Sequence, residues 1–75
     1  MSSRKEMQED LLEFGAEIAA TGMKQVTESY ETGHPELFSQ GIYNVLAGAR
    51  IVQHSRDLAD ILYLLAGGGM KYELV

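Results

Sequence analysis

The sequence predicts an all-α protein: a helical hairpin plus a third short helix, assembling as a homo-oligomeric helical bundle. Three observations predict it. Acidic and apolar residues of the first half separate onto opposite faces of one helix. A lone Pro with a Gly two places before it, Gly33-His34-Pro35, divides that half from a second apolar period. Glycines recur inside both periods, where bulk would otherwise keep helices apart.

Helix 1 is expected over about 3–31. Drawn at about 100° per residue, Glu6, Asp10, Glu13, Glu17, Lys24, Glu28 and Glu31 form a stripe roughly 60° wide, with Glu9 at its margin. The opposite face carries Met7, Leu11, Phe14, Ile18, Val26 and Tyr30, with Gly15, Ala19 and Gly22 near its middle. Gly33 suits the residue after a helix C-terminus, and Pro35 suits the first turn of the next helix. Helix 1 would be about 40 Å long, more than one chain of this size is expected to cover. It should therefore bend at Gly22 or be covered by another subunit.

Helix 2, about 35–54, shows an apolar stripe of Phe38, Ile42, Val45, Ala49 and Val52 flanked by Gly41 and Gly48. After His54 the phase changes. Leu58, Ile61, Leu62 and Leu65 would fall on the former polar side, and Arg56, Asp60 and Tyr63 on the former apolar side. The reading adopted is a break, with Ser55 as N-cap and Asp57 in the first turn of helix 3, about 56–66. The alternative is a continuous helix whose halves face different subunits. Residues 67–75, opening with Gly67-Gly68-Gly69, are expected to form a mobile or swapped tail. Mid-helix glycines each cost about 0.5 to 1 kcal/mol relative to Ala. Gly15, Ala19, Gly22, Gly41 and Gly48 are therefore read as a close-packing surface, within the hairpin or between subunits.

At 75 residues the chain makes one domain, 1–75, whose core supplies only about 3 to 5 kcal/mol unaided. With no Cys and only two His, disulfide and Cys-based zinc staples are absent, which leaves self-association. The longest apolar run, Ile61 to Ala66, is too short to span a bilayer, so no membrane partner is expected. No apolar segment follows Arg4-Lys5, so no signal peptide is expected and the expected compartment is the cytoplasm. Net charge is −5, with seven acids against three bases in residues 1–33 and four against three beyond. That balance lacks the basic patch that nucleic-acid binding ordinarily needs.

Two constellations suit chemistry. On helix 2, Tyr43, Arg50 and His54 share a face at spacings of seven and four. Arg50 and His54 suit an anion and Tyr43 suits a ring stacked on it, so a small nucleotide-like ligand held at subunit junctions is one reading. The other set is carboxylic: Glu9, Asp10 and Glu13 on helix 1, Asp57 and Asp60 on helix 3. Acids so spaced on two packed helices suit Mg²⁺ and a phosphate-bearing substrate. This set resembles the motifs of the all-α nucleoside-triphosphate pyrophosphohydrolases, E-E-x-x-E and E-x-x-D before an apolar run, with Asp10 and Asp57 where that family has Glu. By that resemblance the five acids would be Mg²⁺ ligands. No nucleophile–His–acid order or phosphate loop is present.

The leading expectation is a small acidic interaction or regulatory protein without catalytic residues or cofactor. It would bind itself and another protein, the latter through Asp10, Glu13, Glu17 and Glu28. In size and architecture it is similar to phage-type inhibitors, antitoxin-like regulators and the short co-chaperones of type III secretion needle subunits.

Overall fold

The computed structural model describes residues 3–66. They form α1 (Arg4–Thr32), α2 (Pro35–Gln53) and α3 (Ser55–Leu65), with no strand among the described residues. The all-α expectation and the hairpin hold; the expected tail, 67–75, lies outside the described residues.

The helix ends follow from local chemistry. Ser3 Oγ accepts from the Glu6 N–H and Glu6 Oε1 accepts from the Ser3 N–H, both at 3.1 Å, a reciprocal pair that satisfies two otherwise orphan donors at the start of α1. Gly33 closes α1 in the left-handed region (φ 75°, ψ 17°), its N–H reaching the Ser29 carbonyl at 2.9 Å. Pro35 then opens α2 at a position that has no use for an N–H. His34, between the two helices, makes no capping hydrogen bond with its side chain.

α1 and α2 run antiparallel and pack through glycine. A Cβ placed on Gly22 would lie 2.5 Å from the Gly41 carbonyl oxygen, and one on Gly41 would lie 2.6 Å from that of Gly22. Gly15 and Gly48 face each other in the same reciprocal way, with Ala19 against Gly48. Such contacts bring Cα–H groups onto opposing carbonyls and let backbones come nearer than the usual 8–10 Å between helix axes. The buried residues of α1 are Gly15, Gly22 and Ser29; those of α2 and α3 are Gly41, Gly48, Ser55 and Ala59. The small-residue seam is thus a heptad repeat on both strands of the hairpin.

Of the two placings read for the glycines and Ala19, the close packing is within the hairpin. Other expectations are corrected by this seam. Ser55 is not an N-cap: it is a buried seam residue, 4% exposed, and His54 stands at the cap position. The break at His54 does not turn the chain. Hydrogen bonds of helical spacing bracket it, His54 N–H to Arg50 O and Leu58 N–H to His54 O, each 2.9 Å. α3 packs on α1 and meets α2 only end-on. α2 and α3 together therefore span α1, which neither bends at Gly22 nor needs another subunit for its length. An Arg4–Asp60 ion pair ties the first turn of α1 to α3.

With direction preserved, the phase change at His54 means that two apolar groups lie on opposite flanks of the hairpin. The long flank carries Leu12, Ala16, Met23, Val26 and Tyr30 from α1 beside Phe38, Ile42, Val45, Ala49 and Val52 from α2. Tyr30 and Phe38 meet edge-on there, ring centres 6.1 Å apart and planes at 79°. The terminal flank carries Met7, Leu11 and Phe14 beside Leu58, Leu62 and Leu65. Between it and the turn the same side is polar, with Asn44 Nδ2 donating to Gln25 Oε1 at 2.7 Å. The molecule measures 58 × 18 × 18 Å. Among the described residues Ala59 is the sole buried hydrophobic residue, and no large side chain is fully enclosed.

Candidate functional site

Side chains of chemical interest lie on the outer surfaces, because the seam takes only small residues. On α1 the back of the helix carries Asp10, Glu13 and Glu17, all exposed, and Glu28, half-buried. They share one face, as their spacing predicts, away from the glycine side of α1 that packs on α2; Asp10 borders a hollow with Leu62 of α3 and Glu17 one with Asn44 of α2. Glu6 begins the same stripe, and the backbone N–H and then the hydroxyl of Ser3 hold its carboxyl below the ordinary value of 4.5.

The five acids of the alternative Mg²⁺ set do not converge. Among the described residues no group of three or more His, Cys, Asp or Glu side chains is placed to share a metal ion. Glu9, Asp10 and Glu13 spread over the outer side of α1, and Asp60 on α3 is engaged by Arg4.

Tyr43, Arg50 and His54 are all exposed, Tyr43 by 73%, and share the outer face of α2 as their spacing predicts. Tyr43 borders a shallow hollow with Ser39, Gln40 and Asn44. A second, more apolar hollow lies at the terminal flank, lined by Met7, Asp10, Leu11, Phe14, Leu62 and Ala66.

Two seam residues escaped the sequence reading. Ser29 and Ser55 lie seven residues after Gly22 and Gly48, so the heptad that locates them was already written in the chain. Ser29 tolerates burial because its hydroxyl donates to the Val26 carbonyl at 2.6 Å. What the spacing alone did not reveal is how much bulk the seam excludes. Phe14 (53% exposed), Met23 (58%), Tyr30 (77%), Leu46 (53%), Ile61 (52%) and Leu65 (69%) remain in solvent.

Compared with known families, curated proteins and solved structures, the chain matches none of them.

Proposed function

We propose that this protein is a small acidic interaction protein that self-associates and acts by binding another macromolecule through the back of α1. The observation that carries the reading is the separation of surfaces. Apolar side chains that want cover lie on the two flanks, while Glu13 stands on the back of α1, with Asp10 and Glu17 between it and the terminal flank, so that assembly through the long flank leaves all three acids open. A repeated acidic face speeds encounter with a basic partner and selects against acidic ones. Among the described residues no helix is long and apolar enough to cross a bilayer.

The test uses a Lys/Arg-rich peptide as probe, with fluorescence anisotropy at low salt. Reversing Glu13 and Glu17 together to Lys is expected to weaken binding about tenfold or more, given four units of charge change per chain. Native mass should be unchanged. Equal affinity in the variant would refute the acidic face as the binding surface.

A second reading has one observation in its favour: Tyr43, which borders a hollow with Ser39, Gln40 and Asn44, shares its exposed helix face with Arg50 and His54. In an assembly that face would hold a small anionic, nucleotide-like ligand where subunits adjoin. A ligand bound only by the folded chain raises the melting temperature. The reading requires such a rise with a nucleotide or cyclic dinucleotide, abolished by Arg50→Ala.

A further inference from the structure

We infer that the long flank is the surface through which two copies of this chain meet, about a two-fold axis, to make a four-helix bundle. This rests on the self-association reading above and gives it a surface and a register.

Size comes first. Leu12, Met23, Tyr30, Phe38, Ile42 and Val52 on this flank are 38, 58, 77, 40, 40 and 37% exposed. With the alanines and valines between them they form one apolar surface running along both helices of the hairpin, where a stable interface of standard size needs roughly 800 Å² from each partner. Charge comes second. From Leu12 to Tyr30 on α1 and from Phe38 to Val52 on α2, no charged residue falls on this flank, and charges appear only beyond, at Lys5, Glu9, Arg56 and Asp60. The terminal flank is shorter, and Glu17, Thr21, Gln25 and Asn44 interrupt its continuation toward the turn. A surface free of charge over its whole length suits its own copy better than an oppositely charged partner.

Shape sets the register. Residues of α1 and α2 whose numbers add to 63 stand level, as Gly15 with Gly48 and Gly22 with Gly41. On that scale the flank is dented by Ala16, Ala19 and Ala49 and raised by Met23 and Phe38 on the turn side of the dent. Consider a two-fold axis lying in the interface, perpendicular to the helices, at about the level of residue 20. It lays α1 antiparallel on the second α1, and Met23 of each copy enters the dent at Ala16 and Ala19 of the other. Phe38 likewise lies over Ala49, and Ile42, next to the axis, lies near its own counterpart. An axis parallel to the helices would instead set bulk against bulk and dent against dent. The contact is isologous and closes at two copies.

The experiment measures native mass by light scattering across protein concentration for the wild type, Met23→Glu and Leu62→Glu, with circular dichroism to follow helix content. Expected is a wild-type mass of two chains or an even multiple. Met23→Glu should raise the dissociation constant of the pair about 100-fold or more, because the two-fold places the charge in the interface twice. Leu62→Glu, on the terminal flank, should leave the pair intact. Should Met23→Glu unfold, a cysteine scan decides, since the natural chain has no Cys. Oxidised with diamide, Ile42→Cys should become a covalent dimer that stays helical, while Glu13→Cys on the outer face stays single. An assembly that survives Met23→Glu, or an Ile42→Cys chain that fails to cross-link, overturns the long flank as the interface but leaves self-association standing. A wild type that is monomeric at every concentration overturns both.

Discussion

At Gly15, Gly22, Gly41 and Gly48 a single methyl group decides how near two backbones come. Ala at Gly22 or Gly41 would gain about 1 kcal/mol of helix propensity. Its Cβ, however, would sit 2.5 or 2.6 Å from an opposing carbonyl oxygen. The obstacle is backbone, so no rotamer change relieves it, and overpacking of this kind costs about 1 to 3 kcal/mol. The seam must open along its length to admit the methyl, which disturbs neighbouring contacts as well. Gly41→Ala is therefore expected to lower the urea midpoint despite its better propensity; a raised midpoint would mean that the helices can separate freely. Gly33→Ala tests a different cause. Nothing lies within 4 Å of the position a Cβ would take there, so its expected loss, about 1 kcal/mol, comes only from a φ of 75°.

Among the elements, α1 is the one with a side-chain cap, and the seam it presents buries only small residues. Ser3→Ala removes half of the reciprocal cap and is expected to cost about 1 kcal/mol, visible as a lower melting temperature and faster amide exchange in the first turn. The pH dependence has a definite sign. Glu6 is held below its ordinary value of 4.5, so its contribution is complete above that value and is lost as pH falls through the depressed folded value. Fraying of the first turn should follow acidification in the wild type and lose this component in Glu6→Gln. These ends were legible beforehand: Ser3, Gly33 and Pro35 announce α1 and α2 by residue type alone. The course of the chain after His54 was not. Its apolar residues do change phase, but a change of phase does not distinguish a turn from a helix whose two parts expose opposite flanks. The small residues settle it, since Ser55 and Ala59 keep the phase of Gly41 and Gly48 while Leu58 and Leu62 leave it. Reading the large residues as the inward face placed the core where the solvent is. The Tyr43, Arg50 and His54 face was legible as a face, because spacing fixes direction from the axis; whether a wall rises opposite it depends on neighbours that spacing does not encode.

Over its described residues the molecule is a slender hairpin, 58 Å long and 18 Å across, that encloses one buried hydrophobic side chain, Ala59. Among these residues the large apolar side chains of both flanks stay partly or largely exposed. Stability should then depend on protein concentration. If folding is coupled to pairing, each tenfold increase in concentration is expected to raise the melting temperature by about 3 to 5 °C. A melting temperature independent of concentration over two decades would show that the hairpin stands alone. The seam also limits how this chain can change length over generations. Level pairing of Gly15 with Gly48 and of Gly22 with Gly41 means that one residue inserted between either pair of glycines rotates everything beyond it by about 100° and sets side chains against the glycine groove. Insertions and deletions should be confined to the turn and the chain ends, or arrive as whole sevens in both helices at once. The spacing of its small residues, more than its overall composition, is what descent must conserve.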